Sequence, residues 1–246
     1  MSRSKTLVVQ NNPKSPVSEA YRVLRTNLQF ASLDNPLKVI IITSSGPGEG
    51  KTTTAVNLAI TFAQSGSKTL LVDGDLRKPI INRVFGLNNQ KGITNILALQ
   101  EDYNWYINKC PTENLDIITS GAIPPNPSEL LASNAMKEFV HKLRDDYDMI
   151  IIDSPPVGSV TDAAILSTIA DGTVLVASSG KVEIEAITRA KELLVKVNAN
   201  ILGVVLNRLD RKAKGNDYYY SYYYYSEDND KQKKKNKKSK AKIKLN

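Results

Sequence analysis

One segment limits the folds open to this chain more than any other. Residues 45–52 read Ser-Gly-Pro-Gly-Glu-Gly-Lys-Thr and closely follow the apolar run Val39–Thr43. A glycine-rich loop between a buried strand and a helix is the context of a phosphate-binding P-loop. Backbone N–H groups of such a loop and the N-terminus of the helix both attract phosphate. The segment therefore predicts a nucleotide site in a parallel α/β sheet; a glycine-rich turn without a ligand is the alternative.

Six β-branched runs recur at the spacing of an α/β protein. They are Val39–Thr43, Leu70–Asp73, Leu115–Thr119, Met149–Asp153, Thr173–Ser178 and Ile201–Leu206. All except Leu115–Thr119 are continuously apolar, which is typical of strands buried on both faces of a parallel sheet. Helical patterns lie at residues 15–31, 52–64, 128–143 and 183–197, with Ser15 and Asn126 as expected N-caps. We therefore expect a doubly wound, mainly parallel sheet flanked by helices, with ligands at the strands' carboxyl ends.

Charge and composition divide the chain into parts. It carries 33 Lys and Arg against 25 Asp and Glu, but nine of the lysines lie in residues 231–246. The rest is nearly neutral, which disfavours a nucleic-acid-binding domain. Apolar periodicity stops after Leu209. We predict an N-terminal segment with a helix at 1–36, a P-loop domain at 37–211 and a disordered Tyr-rich and Lys-rich tail at 212–246.

Residue content also excludes several classes of protein. One cysteine and one histidine leave no intrachain disulfide and disfavour a thiolate or His-rich metal centre. The N-terminus has no apolar core of a secretory signal, and no apolar run of about 18 residues could span a bilayer. We expect a soluble, cytoplasmic protein whose membrane attachment, if any, comes through a partner or the tail.

Two acidic motifs complete the expected nucleotide site. Asp73-Gly-Asp75-Leu-Arg77 ends one apolar run, and Asp153-Ser-Pro-Pro ends another. A carboxylate is costly to bury unless a cation offsets it, and Mg²⁺ is such a cation. An Asp that ends a strand is often only a turn residue or helix cap. Two such motifs beside a P-loop instead favour a site for ATP and Mg²⁺.

Residue roles follow from this arrangement. The Lys51 ammonium can bridge the β- and γ-phosphates, and the Thr52 hydroxyl can bind Mg²⁺. The residues predicted to bind ATP are Gly46, Gly48, Glu49, Gly50, Lys51, Thr52, Thr53 and Asn207. The carboxylates that end the two acidic runs lie where the nucleotide's metal ion is expected, so they are candidates to help hold it.

The three motifs together resemble those of the bacterial tyrosine kinases of capsule and exopolysaccharide synthesis. The family's Walker A, Walker A′ and Walker B motifs correspond to Gly50-Lys51-Thr52, Asp73–Arg77 and Asp153–Pro156. The resemblance extends from about Pro16 to Leu209 and includes the tyrosine-rich tail. It implies a protein-tyrosine kinase that autophosphorylates, with Lys51, Asp73, Asp75 and Asp153 as catalytic residues. By this resemblance Asp73 is the candidate base, and Asp75 and Asp153 join Thr52 in holding Mg²⁺, directly or through water. Arg77 either contacts phosphate or braces the loop through an Asp–Arg pair.

The tail is tyrosine-dense. Seven of the chain's eleven tyrosines lie in residues 218–225, namely Tyr218, Tyr219, Tyr220, Tyr222, Tyr223, Tyr224 and Tyr225. A sticky low-complexity segment is the alternative interpretation. The resemblance implies instead a phosphoacceptor cluster that a neighbouring subunit phosphorylates in trans.

The resemblance also implies partners. Glu19-x-x-Arg22-x-x-Arg25 matches a family motif that joins subunits into a ring, for which an octamer is one size; a solvated charged face is the alternative. A separate transmembrane activator, which regulates polysaccharide chain length, is expected to recruit the kinase to the inner face of the plasma membrane. A phosphotyrosine phosphatase is a further expected partner, and no nucleic acid is expected. The Lys-rich tail either attracts anionic lipid or only solubilises the chain.

Two other functions remain open at this point. Partition-type and septum-placing ATPases share the fold and Walker A motif, but they usually carry a signature lysine where this chain has Gly46. A nucleotide-binding regulator without kinase activity is the second alternative. The tyrosine cluster and Gly46 favour the kinase over the partition-type ATPase, whereas only an activity assay separates the kinase from the regulator.

Overall fold

The computed structural model describes residues 6–31 and 36–209. In this part of the chain a seven-stranded sheet has the order β3-β4-β2-β5-β1-β6-β7. The strands are β1 (Val39–Ser44), β2 (Thr69–Asp73), β3 (Asn108–Lys109), β4 (Leu115–Ile118), β5 (Met149–Asp153), β6 (Gly172–Ser178) and β7 (Ile201–Asn207). Within this sheet only β3 pairs antiparallel. The expected doubly wound, mainly parallel sheet is confirmed. The structure also contains the short edge strand β3, which is not among the six strands predicted from the sequence.

Helices connect the strands. They are α1 (Val8–Asn11), α2 (Pro16–Phe30), α3 (Lys51–Gln64), α4 (Ile81–Phe85), α5 (Ile93–Leu99), α6 (Pro127–Ala132), α7 (Asn134–Asp146), α8 (Asp162–Ser167) and α9 (Ile184–Lys196), with a 3₁₀ turn at Tyr103–Tyr106. Helices α4, α5 and α8 have only five to seven residues. Such short helices show too little periodicity to be predicted from sequence.

The single helix expected at 128–143 is wrong, because two helices stand there. Ser133 has an extended backbone, and its hydroxyl oxygen accepts from Met136 N at 3.3 Å, so it ends α6 and caps α7. Asn126 stands at the expected N-cap position, but its side chain makes no capping bond. Its amide instead donates to Glu129 Oε2 at 3.1 Å. Ser15, by contrast, caps α2 as expected and accepts from Ser18 N at 3.1 Å.

The sheet separates two apolar layers. Side chains of Ile40 and Ile42 face a core that includes α3, whereas those of Val39 and Ile41 face a core formed with α5 and α7. All four are fully buried. Because both faces of β1 are covered, its sequence is apolar throughout rather than alternating.

The N-terminal segment packs on the helix that follows the P-loop. Asn57 on α3 accepts from Val9 N at 2.9 Å and donates to Thr6 O at 2.6 Å, and Val9 is fully buried. Tyr21 and Leu28 on α2 join the same apolar core. Within the described residues, no helix is both long and apolar enough to cross a bilayer.

Candidate active site

Three strand ends bring the sequence motifs together. Asp73 at the end of β2 is the register partner of Asp153 at the end of β5, and Asp153 is also paired with Ile42 of β1. Strand β1 leads directly into the P-loop. Because the strands are parallel, their carboxyl ends share one edge of the sheet. The P-loop therefore lies beside both acidic motifs.

The P-loop is held by its own side chains. Gly50 has a φ of 104° and precedes α3, and a Cβ at this position would collide with Asn207 Nδ2. The carboxylate oxygen Glu49 Oε1 accepts from the Ser45 hydroxyl at 2.6 Å and from Gly46 N. Glu49 is 4% exposed. Ser45, which stands where the usual P-loop has glycine, thus forms a bond that glycine could not.

Lys51 and Thr52 face the acidic motifs. Lys51 Nζ lies 2.9 Å from Asp75 Oδ2 and 3.5 Å from Asp153 Oδ1. The Thr52 hydroxyl donates to Asp153 Oδ2 at 2.6 Å. Burial alone would lower the pKa of Lys51, but the charges of Asp153 and Asp75 outweigh it and raise that pKa. Burial raises the pKa of Asp153, and the ammonium of Lys51 opposes this shift.

Asp73 is held mainly by backbone. Its Oδ2 accepts from Ile80 N at 3.2 Å and Ile81 N at 3.0 Å, and its Oδ1 accepts from Asp75 N at 3.3 Å. Complete burial and the charge of Asp153 raise the pKa of Asp73 to about 8. Its carboxyl group is therefore fixed in position and poorly solvated, which are properties of a group that exchanges protons at a reaction centre.

Gly74 allows the two acidic motifs to meet. Its N–H donates to Asp153 O at 2.8 Å, and a Cβ would lie 2.8 Å from the same oxygen. Only glycine fits between Asp73 and Asp75 at this distance from β5. The spacing of the Walker A′ motif is thus fixed by close backbone contact.

The donor set suits Mg²⁺. Among the residues that the structure describes, no three His, Cys, Asp or Glu side chains form a ready-made metal cage. Magnesium needs fewer protein ligands than such a cage provides, because it commonly binds one or two carboxylates and completes its coordination shell with phosphate and water oxygens. Thr52, Asp75 and Asp153 provide hard oxygen ligands beside the P-loop. These residues could hold the ion together with a nucleotide.

Arg77 braces the Walker A′ loop. Its guanidinium donates to both carboxylate oxygens of Asp162, at 2.9 and 3.0 Å, and to the Ser128 hydroxyl at 2.7 Å. Asp162 is fully buried at the start of α8. Of the two roles left open by the sequence, the structure shows the Asp–Arg pair. Sequence reasoning missed Asp162 and Ser128, because neither belongs to a recognisable motif.

Asn207 closes the other side of the loop. It ends β7, and its amide donates to Glu49 O at 2.9 Å. The structure therefore brings Asn207 to the P-loop, and its role in ATP binding stays a prediction. Gly48, with a φ of 79°, lies in the same loop, and Thr53 is the third residue of α3.

The charged motif on α2 makes contacts within the chain. Arg22 donates to Glu19 Oε2 at 2.8 Å and to Pro13 O at 2.6 Å. Arg25 donates to Thr61 O near the end of α3 at 3.0 Å. Glu19 and Arg22 remain accessible, so pairing across subunits stays a prediction. The tail tyrosines at 218–225 lie outside the described residues.

Comparisons with known proteins agree with this geometry. Residues 37–202 match a family described as AAA domain. The chain is 46% identical over 216 residues to the tyrosine-protein kinase YwqD of Bacillus subtilis, across 88% of this chain and 91% of that protein. Its fold matches the chimerical protein CapA2B2 with a TM-score of 0.81 and 43% identity, across 84% of this chain and 91% of that one. The kinase domain of Escherichia coli ETK matches with a TM-score of 0.81 and 34% identity, across 85% and 82%.

A more distant similarity reaches the positioning ATPases. The septum site-determining protein MinD of Pyrococcus horikoshii, solved with Mg-ADP, matches with a TM-score of 0.60 and 29% identity, across 71% of this chain and 72% of that one. This similarity is weaker than that to the kinases in both fold and sequence. The P-loop fold and the extent of the kinase matches lead to one conclusion: the chain belongs to the bacterial tyrosine-protein kinases of capsule and exopolysaccharide synthesis.

Proposed function

We propose that this kinase transfers the γ-phosphoryl group of ATP to tyrosine hydroxyls in residues 218–225 of a neighbouring copy. The observation that carries the proposal is the convergence of Lys51, Asp75 and Asp153 beside the buried Asp73. The density of tyrosines in residues 218–225 supports these residues as the acceptors.

The P-loop and its lysine bind the phosphates. Backbone N–H groups of residues 46–52 and the N-terminus of α3 attract the β- and γ-phosphates. The Lys51 ammonium now contacts Asp75 and Asp153, so an incoming phosphate competes with these carboxylates for it. Thr52, Asp75 and Asp153 would hold Mg²⁺, which would supply positive charge to offset that of the phosphates. Asn207 and Glu49 keep the loop in the shape that receives the nucleotide.

Asp73 is the proposed proton acceptor. A tyrosine hydroxyl must lose its proton as its oxygen bonds to the γ-phosphorus and the bond to ADP breaks. Asp73 would take that proton in its ionised form, which the nearby Lys51 ammonium favours. Because Ile80 N and Ile81 N hold its Oδ2, the carboxyl group is positioned without rearrangement. Lys51 and the loop amides stabilise the charge on the transferred group.

Mass spectrometry tests the proposal directly. Wild-type protein is incubated with ATP and Mg²⁺, with and without its membrane activator, and tail peptides are analysed. We expect phosphates between Tyr218 and Tyr225 in the wild type and none in Lys51→Met. The matched control replaces the seven tail tyrosines by phenylalanine, which should abolish tail phosphorylation while ATP binding is retained. A wild type that stays unmodified with its activator would refute the kinase proposal.

A mixing experiment separates transfer in trans from transfer in cis. A tagged Lys51→Met chain cannot phosphorylate itself, but it carries an intact tail. Incubated with untagged wild type, the tagged chain should gain tail phosphates. If only the wild-type chain is modified, transfer takes place within one molecule.

We further propose the assembly that the family resemblance implies. Glu19, Arg22 and Arg25 would join copies into a ring that brings one tail to the next active site. A separate transmembrane activator would recruit the ring to the inner face of the plasma membrane, and a phosphotyrosine phosphatase would reverse the reaction. Each phosphotyrosine adds about −1.5 to −2 charges, so repeated phosphorylation would drive the tails apart and loosen the ring.

A further inference from the structure

A groove of about 580 Å³ runs beside the Walker A′ loop. One wall is the segment that follows Asp75, from Arg77 to Arg83, and the other includes the loop 121–123. Asn89 ties the second wall in place, because its amide donates to Gly121 O at 2.9 Å and its oxygen accepts from Gly121 N at 3.2 Å. The groove is therefore a defined feature of the fold.

The groove is positively charged. Arg77, Lys78 and Arg83 line it, and no acidic side chain does so among the residues that the structure describes. The charge of Arg77 is offset by Asp162. Lys78 and Arg83 are exposed, and in the described part of the chain neither forms a salt bridge. Two free cations thus face the groove.

The groove also offers apolar surface. Ile80 is 38% exposed and Ile123 is 63% exposed, and both line the groove. A tyrosine ring is a large, flat apolar body with a polar end, and exposed aliphatic side chains suit its faces. The combination of free cations with exposed isoleucines fits a ligand that has both acids and aromatic rings.

The wall of the groove is the same backbone that positions the reaction centre. Ile80 N and Ile81 N donate to Asp73, and Lys78 N donates to Asp75 Oδ1 at 3.0 Å. A ligand held along residues 77–83 therefore lies against the segment that fixes the proposed base. This contiguity makes the groove suited to the acceptor rather than to the nucleotide, which the P-loop holds.

We propose that this groove binds the acceptor polypeptide and selects tyrosines flanked by acidic residues. The inference rests on the proposed kinase function and adds the chemistry of the acceptor. The tyrosine cluster of a second copy has this chemistry, since acidic residues flank it on both sides: Asp217, Glu227, Asp228 and Asp230. Lys78 and Arg83 pair with the flanking carboxylates, and Ile80 and Ile123 pack on tyrosine rings.

Peptide binding measured by fluorescence anisotropy without ATP tests this proposal. The first labelled peptide has the sequence of residues 216–230, and the second replaces its four acids by Asn or Gln. The full wild-type chain should bind the acidic peptide about tenfold more tightly than the neutral one at low salt. Arg83→Glu should reduce that ratio about fivefold. Arg189→Glu, an equal charge reversal at an exposed site on α9, should leave the ratio as it is.

Two results would overturn the proposal. One is equal affinity of the wild type for both peptides. The other is an equal loss of preference in Arg83→Glu and Arg189→Glu, which would show general charge attraction, including that of the lysine-rich tail. Because the measurement needs no phosphotransfer, it is independent of the kinase proposal. If both peptides are phosphorylated with equal kcat/KM and bound equally, the groove proposal fails while the kinase function stands.

Discussion

The ammonium of Lys51 lies 2.9 Å from Asp75 Oδ2 and 3.5 Å from Asp153 Oδ1, so one P-loop side chain bridges both acidic motifs. Asp73, the register partner of Asp153, is a third buried carboxyl group near this one ammonium. Buried carboxylates in such excess are costly without further cations. This imbalance would favour the binding of a divalent ion together with the nucleotide.

Removal of Mg²⁺ should weaken nucleotide binding, and Asp153→Asn should blunt that effect. Asp153 accepts from Thr52 and faces Lys51, so its loss removes one candidate metal ligand without changing side-chain size. We expect Asp153→Asn to lower the gain in ATP affinity from Mg²⁺ by about tenfold or more. Isothermal titration calorimetry of ATP binding, in Mg²⁺ and in EDTA, measures this gain in affinity for the wild type and the variant. If the wild-type protein binds ATP equally well with and without Mg²⁺, the assignment of Asp153 as a metal ligand is contradicted.

The Arg77–Asp162 pair should show strong energetic coupling. Arg77→Ala removes the ion pair from the buried Asp162, which still accepts from the Ser128 hydroxyl, and should cost about 1–2 kcal/mol of unfolding free energy because the Arg77 side chain is partly exposed to solvent. The double variant Arg77→Ala/Asp162→Asn should cost less than the sum of the two single changes. Urea denaturation of all four proteins gives the coupling. If the losses of unfolding free energy in the two single variants simply add in the double variant, the pair does not stabilise the Walker A′ loop.

Asp171 should make stability depend on pH in the acid range. Its oxygens accept from Lys38 N at 2.8 Å and Val39 N at 2.7 Å, and Arg144 pairs with it at 2.8 Å. Burial alone would raise the pKa of Asp171, but the hydrogen bonds from Arg144 and the two N–H groups outweigh it and lower that pKa.

A lowered folded-state pKa stabilises the protein above the unfolded value of about 3.9. That contribution disappears as pH falls through the folded pKa. Asp171→Asn should therefore cost about 1–3 kcal/mol at neutral pH and progressively less below about pH 4. Urea unfolding at several pH values measures this difference, with the exposed Asp145→Asn as control. A cost that is constant down to acid pH would contradict the role given to Asp171.

The motif on α2 should control assembly. Arg22→Ala/Arg25→Ala should elute later from size-exclusion chromatography than the wild type if these arginines join subunits. Arg25 also donates to Thr61 O, so the variant should lose about 1 kcal/mol of stability whether or not it assembles. Thermal unfolding separates the two effects. An unchanged elution volume would remove the motif from the interface.

Much of the fold could be predicted because it is local in sequence. The strand β1, the P-loop and helix α3 are consecutive, and each acidic motif ends a buried strand. Parallel pairing then places those ends together, as the register of Asp73 and Asp153 shows. A sequence pattern is enough to predict the structure where the elements that form it are consecutive in the chain.

The rest depends on contacts between distant segments. Asp162 meets Arg77 across 85 positions, and Asn207 meets the P-loop across 158. The break at Ser133 was not predicted from sequence, because Ser is tolerated inside helices and its capping role shows only in its backbone angles and its hydrogen bond from Met136 N. The groove lined by Arg83 could not be predicted for the same reason, since its two walls come from segments that are separated in the chain.

Gly74 has a consequence for how this enzyme can vary. Its N–H is bonded to Asp153 O, and the space for a side chain there is already filled by β5. Any substitution at this position pushes the two acidic motifs apart at once, so it should impair metal binding and proton acceptance together. The Walker A′ and Walker B motifs are far apart in the sequence, but they act as one rigid unit because they are joined at Gly74, a residue that has no side chain.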